Sequence, residues 1–434
     1  MKIAFFRKNI SCEIGDCVAG YGPNDVSIAK LDDLFATGLC VDDGEKKILL
    51  ISLDLLGLDE WYIRELRKSC AEILGVPESA VLLTCTHTHS GPETRTQAAC
   101  PEALNRPYLE KLRNIIENAV RELGDYRECI AGYYSTLCDA NDNRRVVTAD
   151  NHASFLPHCR EMRPLATGFA DKELGVVLFL DKTTRMPIYI IGNYAAHPLA
   201  GHAPGLGGIR ISADFPGAFR EYIRSEAGVE SMYVSGAAGD MVPKEDELGK
   251  DAIKRNGEKL AKETLGAVVD ITRNLDRFRL DEKVGSKIGT FTVPMRKFYL
   301  QTPKRLPPPY RNREEVTFEV QCVAIGDICF TGVPGELCAS LGQEIKWHSP
   351  FRRTFIAYDA TAYFSYICPG NYLVAGGYEA NSQRFSSRGG LLLLNAAVDA
   401  LYDLREELYP SPEELGEKYP DYVRSPLVSV NLEK

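Results

Sequence analysis

The sequence predicts a mixed α/β (α+β) fold with a large central sheet flanked by helices. Short apolar runs rich in Val, Ile and Leu alternate with longer segments of helical period, which is typical of this class. The chain has 434 residues, of which 44% are hydrophobic and 26% charged, so it is globular in composition and can bury a large core. No internal repeat of about 20 to 50 residues is visible, which argues against a repeat architecture.

The elements follow in order along the chain. Strands are predicted for the apolar runs Ile48–Leu55, Ala80–Cys85, Gly175–Leu180, Pro187–Tyr194, Ser231–Val234, Val320–Phe330 and Thr354–Tyr358. Helices are predicted for Glu60–Leu74, Leu104–Leu123, Phe215–Glu226, Asp251–Leu275, Glu336–Trp347 and Leu391–Leu408. Long polar, glycine-rich or proline-rich stretches, expected to be functional or disordered loops, are Asn141–Pro164, His202–Ile211 and Gln301–Arg313. The last of these is also consistent with a linker.

Composition excludes several classes of protein. The net charge is -9 and no basic stripe is visible, which argues against nucleic acid as the main partner. No apolar run reaches the roughly 18 residues of a membrane span, and the N-terminus lacks a secretory signal. We therefore expect a soluble, cytoplasmic protein. The 13 cysteines are odd in number and fall in apolar runs, so most are expected to be buried small side chains.

Three histidines stand where strands are predicted to end. His87 and His89 follow the run Ala80–Cys85, and residues at i and i+2 of a strand share a face, so both imidazoles could enter one site. His197 follows another strand, and Pro198 favours an extended or turn conformation there. Hydrogen-bonded structural histidines are the alternative. Two such strand ends in a chain with only 7 histidines favour zinc, which accepts imidazole and carboxylate ligands.

Two further segments are ambiguous from their residues alone. Glu336 could supply a carboxylate ligand, or it could be an acidic residue in the first turn of a helix opened by Gly335 and Glu336. The small-residue turn 235–240, which ends at Asp240, could approach a ligand closely or merely permit tight packing. Spacing decides neither question.

Several motifs together resemble the catalytic N-terminal domain of the neutral/alkaline (non-lysosomal) ceramidase family. They occur in the family's order, and the resemblance extends from about Ala19 to Glu379. The motifs are Thr86-His-Thr-His-Ser-Gly-Pro, Asn193-Tyr-Ala-Ala-His-Pro, Ser212-Ala-Asp-Phe-Pro-Gly, Gly236-Ala-Ala-Gly-Asp, Val333-Pro-Gly-Glu and the pair Tyr366 and Tyr378.

The resemblance implies a zinc site and an amide-hydrolysing function. The implied zinc ligands are His87, His197, Glu336 and Tyr366. The resemblance also implies that His89 and Tyr378 face the substrate carbonyl and that Arg144 and Gly20 contact substrate. His202, in the glycine-rich loop after His197, is a further candidate substrate contact. Asp240 is a candidate proton acceptor or, alternatively, a partner that orients a zinc-binding histidine.

Two departures from the family shape the functional prediction. Val242 occupies the position of the serine proposed to take part in catalysis, and valine can neither attack nor transfer a proton. The sequence also ends without the immunoglobulin-like domain of the lipid-cleaving members. We therefore predict one catalytic domain over residues 1–434, with 410–434 as a tail segment.

The predicted function is hydrolysis of a C–N bond in a substrate smaller or more polar than ceramide, by a water activated by zinc. One alternative is a zinc-dependent hydrolase of an ester, lactone or carbohydrate-like substrate. Another is a catalytically degenerate binding protein that retains metal. The expected partner is a small molecule, such as an amide or a lipid or sugar derivative, and the sequence does not indicate an oligomeric state.

Overall fold

The structure is a computed structural model that describes residues 1–22, 25–147, 153–155, 166–201, 208–244 and 249–410. The strands in these ranges are β1 (Lys2–Asn9), β2 (Ser27–Lys30), β3 (Phe35–Asp42), β4 (Lys47–Leu53), β5 (Val81–Cys85), β6 (Arg127–Leu137), β7 (Asn141–Asn143), β8 (Arg145–Val147), β9 (Ala153–Phe155), β10 (Ala166–Thr167), β11 (Glu173–Asp181), β12 (Pro187–Tyr194), β13 (Ile209–Ile211), β14 (Glu230–Ser235), β15 (Met241–Pro243), β16 (Val284–Pro294), β17 (Glu315–Ile325), β18 (Ile328–Gly332), β19 (Glu336–Leu337), β20 (Arg353–Ala357) and β21 (Tyr366–Ile367).

The helices surround these strands. They are α1 (Glu60–Leu74), α2 (Arg106–Arg121), α3 (Asp214–Ala227), α4 (Lys250–Arg273), α5 (Leu275–Phe278), α6 (Lys297–Gln301), α7 (Ala339–His348), α8 (Gly370–Ala375), α9 (Tyr378–Ser382) and α10 (Gly389–Leu408). Short 3-10 turns occur at Glu78–Ala80, Pro101–Ala103, Pro303–Arg305 and Pro308–Tyr310. No helix in the described ranges has the length and apolar content needed to cross a membrane.

Two sheets pack face to face and each carries helices on its outer side. The larger sheet has eight strands in the order β14-β12-β11-β6-β1-β3-β4-β5, antiparallel except for the outermost pairs β14/β12 and β4/β5. The smaller sheet has the order β16-β17-β18-β20. The predicted α/β class with a large central sheet is therefore confirmed, and one face of that sheet is covered by a second sheet that the sequence did not indicate.

The strands of the large sheet are continuous apolar runs, and burial of the sheet on both faces explains this pattern. In β4, Leu49 and Ile51 pack with α1 and α2, whereas Ile48 and Leu50 pack between the two sheets. Alternate residues of a strand point to opposite faces, so burial of both faces requires a continuous apolar run. The same reasoning holds for β11, whose even-numbered residues from 174 to 180 contact α3 and α4.

The two edge strands of the large sheet meet, and this brings distant segments together. Ser235, at the end of β14, donates its hydroxyl to the carbonyl of Thr86, just after β5, at 2.8 Å. Ser52 of β4 likewise donates to the carbonyl of Tyr233 at 2.6 Å. Because β12 runs parallel to β14, the loop after β12 also lies beside the loop after β5, and the rings of His87 and His197 are 4.7 Å apart. About a hundred residues separate these two loops in sequence.

Three sequence expectations need correction. Val320–Phe330, whose pattern is also hairpin-like, forms two strands and not one, because the chain reverses at Gly326, where φ is +59°, to pair β17 with β18. Gln301–Arg313 is not a linker, because Leu306 and Tyr310 are buried in the apolar core that also includes residues of the smaller sheet. Glu336 does not open a helix. Gly335 has φ of +137°, and the backbone of Glu336 pairs with the segment around Tyr366, so α7 begins only at Ala339.

Most other predicted elements are confirmed to within a few residues, and α1 and β12 have the predicted bounds. The described cysteines are free and most are buried, as expected. Parts of two predicted loops, residues 148–152, 156–164 and 202–207, lie outside the described residues, and so does His202. The tail segment beyond residue 410 also lies outside them.

Candidate metal centre

His87 is held in one orientation by two acceptors on its outer side. Its Nδ1 lies 2.9 Å from the carbonyl oxygen of Leu56 and 2.7 Å from Oδ2 of Asp359. A carbonyl oxygen can only accept, so Nδ1 carries the proton and Nε2 presents its lone pair. The residue itself is strained, with φ of +70° two residues after the end of β5.

His197 shows the same arrangement from the opposite side. Its backbone N–H and its Nδ1 both contact the carbonyl oxygen of Met241, at 3.1 and 3.0 Å. Nε2 of His197 is therefore also unprotonated and points inward. Burial lowers the pKa of both His87 and His197 to about 4, so both rings are neutral at pH 7.

Glu336 completes the inner group. Its Oε2 lies 3.3 Å from Nε2 of His197 and 3.6 Å from Nε2 of His87. Its Oε1 accepts a hydrogen bond from the hydroxyl of Tyr363 at 2.5 Å. Burial alone would raise the pKa of Glu336, but His87, His197 and Tyr363 hold it below its usual range, so the side chain is a carboxylate.

These three side chains fit a cation. Two imidazole lone pairs and one carboxylate oxygen converge, and both imidazole protons are already used on the outer side. Neither imidazole has a proton on the nitrogen that faces the carboxylate, so a cation between the three side chains would relieve their repulsion. Tetrahedral ligands at about 2.0–2.1 Å from zinc stand about 3.3–3.4 Å apart, close to the observed separations of 3.3 and 3.6 Å.

His89 lies beside this group. Its Nε2 is 3.2 Å from Nε2 of His87, and the ligand atoms of His87, His89 and His197 lie within 4.8 Å of one another, so the three histidines could hold a metal ion. His87 and His89 come together through a turn, not through strand alternation as predicted, because β5 ends at Cys85 and His87 has positive φ. Gly20 packs on His89, and a Cβ there would stand 2.3 Å from Nδ1 of His89.

Tyr366 is brought to the centre by backbone pairing. It is the register partner of Glu336 in the parallel pair β19/β21, so both side chains point to the same face. Its hydroxyl accepts a hydrogen bond from Nη2 of Arg144 at 3.0 Å. Burial and the charge of Glu336 raise the pKa of Tyr366. Tyr378 stacks edge-on against Tyr366 at 5.4 Å and is 50% exposed, which places it at the outer side of the centre.

Arg144 lies behind Tyr366. Its guanidinium donates to Oε1 of Glu379 at 2.8 Å and to the carbonyl of Gly239 at 2.9 Å, in addition to Tyr366. Arg145 donates to the other oxygen of Glu379 at 3.2 Å. The arginine predicted to contact substrate is thus buried and positions the phenol of Tyr366.

Asp240 lies outside the inner group. Its oxygens accept hydrogen bonds from Asn143, Tyr372 and the backbone N–H of Ala339, each at 2.7 Å. These bonds fix the turn whose next residue, Met241, orients His197. Val242 lies in β15, opposite Asp142 of β7.

The small-residue turn serves close packing. A Cβ at Gly239 would stand 2.7 Å from the carbonyl oxygen of Glu336, so glycine allows the turn to approach the strand that carries the carboxylate. The alternative of close approach to a ligand is not needed to explain this residue.

Two residues of the site were not predicted from the sequence. Asp359 lies two residues after β20, and an acidic residue near the end of a buried strand was the only available signal. No sequence signal marked Tyr363, because it stands in an irregular segment and its contact with Glu336 depends on the tertiary fold.

The fold and the centre together define a two-sheet α/β protein with a buried group of histidine, carboxylate and phenol side chains suited to a metal ion. Among solved structures, the chain is similar to the neutral ceramidase from Pseudomonas aeruginosa, with a TM-score of 0.77 and 15% identity over 94% of this chain and 75% of that one. It is also similar to a ceramidase complexed with C2, with a TM-score of 0.74 and 15% identity over the same shares of the two chains. The chain therefore has a neutral ceramidase-like fold, which confirms the resemblance at the level of the fold. No family model and no curated protein matches the sequence.

Proposed function

We propose that the protein is a zinc-dependent hydrolase that cleaves the C–N bond of a small or polar amide. The convergence of two neutral imidazoles and one carboxylate, with both imidazole protons already engaged, is the observation that carries this proposal. The likeness to structures named as ceramidases supports a hydrolase.

The proposed ligands are His87, His197, Glu336 and Tyr366. Zinc would lower the pKa of water towards neutrality and so supply a nucleophile without a serine, in keeping with Val242. The donated hydrogen bond from Arg144 favours the ionised form of Tyr366, which opposes the effect of burial. His89 is the alternative fourth ligand, because its Nε2 is also within reach of the group.

The remaining side chains would act on the substrate. Burial lowers the pKa of His89 well below its usual value, so its ring is neutral and can donate an N–H to the substrate carbonyl. Tyr378 is half-exposed beside Tyr366 and can donate to a carbonyl oxygen as negative charge develops there. Gly20 leaves room for His89. The contacts of Asp240 favour its second predicted role, the orientation of His197 through Met241.

The proposal is tested by loading the chelator-treated chain with zinc and assaying a panel of matched amides and esters. We expect amide hydrolysis that depends on zinc and is lost in His87→Ala, whereas His348→Ala, on the surface at the end of α7, retains it. Hydrolysis of esters alone would favour the ester or lactone alternative. Stoichiometric zinc without turnover on any member of the panel would favour the binding protein and reject the hydrolase.

The identity of the fourth ligand is tested separately with Tyr366→Phe. If Tyr366 is a ligand, this variant loses zinc affinity and His89→Ala retains it. The reverse pattern would assign the position to His89.

A further inference from the structure

Arg384 is a half-buried cation beside the centre that lacks a counter-ion within the described ranges. Its guanidinium lies 5.5 Å from the ring of Phe364, and none of the described carboxylates comes within ion-pairing distance of it. Burial lowers the pKa of Arg384, and the charge of Arg95 adds to this lowering. Partial withdrawal of a guanidinium from water without a counter-ion is unfavourable, so an anion bound beside it would be stabilised.

Arg95 is the second cation of the same region, and its orientation is fixed. Its Nε and Nη2 donate to the two carboxylate oxygens of Glu93, both at 2.9 Å, and Glu93 is fully buried. The guanidinium stacks on the ring of Tyr363, with its central carbon 4.5 Å from the ring centre. This bidentate pairing leaves the other terminal nitrogen of Arg95 without a bond to Glu93.

Both arginines are tied to the loop between β20 and β21. Arg95 stacks on Tyr363 and Arg384 on Phe364, the next residue along the chain. The hydroxyl of Tyr363 bonds directly to Glu336 of the proposed metal group. Arg95 therefore lies one side chain away from the metal group. Arg384 lies over the next residue of the same loop, close enough for the charge of Arg95 to act on it.

Three other guanidinium groups near the centre have carboxylate partners. Arg144 and Arg145 share Glu379, and Arg95 is paired with Glu93. Of Arg95, Arg144, Arg145 and Arg384, only Arg384 lacks a carboxylate partner among the described residues. A bound ligand that brought one negative charge would complete the pairing.

We infer that Arg384 and Arg95 form an anion subsite and that the substrate carries a carboxylate or phosphate group close to the bond that is cleaved. This inference rests on the proposed hydrolase function and names the substrate class for it. The anion would lie against Arg384 and the open edge of Arg95, while the bond to be cleaved faces the metal group. Arg384 is a specificity-determining residue in this arrangement, because it discriminates by charge and takes no part in the bond cleavage.

The test compares three small amides that differ only in the group beside the amide: N-acetylethanolamine, which is neutral, its phosphate monoester, and N-acetylglycine. The zinc-loaded wild-type chain is compared with Arg384→Gln, with Arg384→Lys, and with Arg277→Gln. Arg277 is the matched control, because it also stacks on an aromatic ring, 5.4 Å from Phe278, but lies on α5 away from the centre. Arg384 is chosen over Arg95, since removal of Arg95 would leave Glu93 buried without its cation.

We expect the wild type to prefer an anionic amide, and the two anionic members show whether carboxylate or phosphate is recognised. Arg384→Gln should lower kcat/KM for that substrate by about 10-fold or more, mainly through KM, as expected for loss of a charge-assisted contact. The neutral amide should change by less than about twofold. Arg384→Lys should recover part of the loss, and Arg277→Gln should behave as the wild type. Equal loss on neutral and anionic amides, or no loss, would overturn the inference.

The result stays decisive if no amide is cleaved at all. Binding of N-acetylglycine and of N-acetylethanolamine phosphate to the zinc-loaded chain is then measured by calorimetry. Binding that is weakened in Arg384→Gln and retained in Arg277→Gln would support the anion subsite while the hydrolase proposal fails. Equal binding by the wild type and Arg384→Gln, or no binding by either, would reject the subsite as well.

Discussion

Asp359 is predicted to set the zinc affinity of the centre without touching the metal. Its Oδ2 accepts the Nδ1 proton of His87 at 2.7 Å, and this hydrogen bond fixes both the ring plane and the tautomer that presents Nε2. Loss of such an outer partner costs about 10- to 100-fold in metal affinity in other proteins, or about 1.4–2.7 kcal/mol. Because the carbonyl of Leu56 also contacts Nδ1, at 2.9 Å, we expect a loss near the lower end, about 10-fold.

The variants must separate the hydrogen bond from backbone strain. Asp359 has φ of +45°, a region that asparagine and glycine adopt more readily than alanine. Asp359→Asn keeps an acceptor oxygen, and Asp359→Gly removes the side chain in a residue that tolerates the backbone. Burial raises the pKa of Asp359, so the neutral amide is also a close match to the protonated acid.

Zinc affinity is measured by competition with a chromophoric chelator, and denaturant midpoints of the metal-free chains report folding. We expect Asp359→Asn to bind zinc within about threefold of the wild type and Asp359→Gly about 10-fold more weakly. The reasoning is refuted if Asp359→Gly binds zinc as tightly as the wild type while His87→Ala does not. It is also refuted if asparagine and glycine weaken binding equally.

Three further predictions follow from the same contacts. Gly20→Ala should displace His89, because the new Cβ would stand 2.3 Å from Nδ1 of His89, and kcat/KM should fall at least 10-fold. Unchanged zinc affinity in this variant would show that His89 is not a ligand. Tyr363→Phe removes the 2.5 Å hydrogen bond to Glu336 and should weaken zinc binding by about 1 kcal/mol, measured by the same competition, whereas full wild-type affinity would contradict the role of Tyr363. The metal-free chain should lose stability as the pH falls from about 6.5 towards 4, because His87 and His197 have pKa values of about 4 when folded and bind protons more readily when unfolded. Between pH 7 and pH 5 the free energy of unfolding, measured in urea, should fall by about 2 kcal/mol per histidine. The fall should be smaller in His87→Ala. A urea midpoint that does not change with pH would contradict the prediction.

The positions of the two buried histidines could be predicted because their signals are local. His87 and His197 each follow a continuous apolar run, and such runs are strands buried on both faces. Ligands in α/β proteins tend to bind where strands end, so the two residues were candidates before any tertiary contact was known. His89 was correctly predicted to lie near His87, but the reason was wrong. A turn at His87 brings the two rings together, and they do not share a strand face.

The contacts that complete the centre could not be predicted, because they join distant segments. Asp359 and His87 are 272 residues apart, and Arg144 and Tyr366 are 222 apart. Glu336 was placed in a helix because a glycine followed by an acidic residue resembles a first turn. The competing interaction is backbone pairing with the strand of Tyr366, which local pattern does not encode.

Backbone strain is concentrated at the centre, and this concentration argues that the centre has a function. Among the described residues six non-glycine residues have positive φ, and His87, Asp359 and Ser365 are three of them. Such conformations cost about 1–3 kcal/mol each and persist only where surrounding contacts enforce them. Here the enforcing contacts are the bond between His87 and Asp359, and the bond from the hydroxyl of Ser365 to the carbonyl of Ser382 at 2.8 Å. One strained residue, His87, is a proposed ligand, Asp359 bonds to it, and Ser365 precedes the proposed ligand Tyr366. The strain is therefore best explained by the need to position these ligands. Packing of the two sheets alone would not require it.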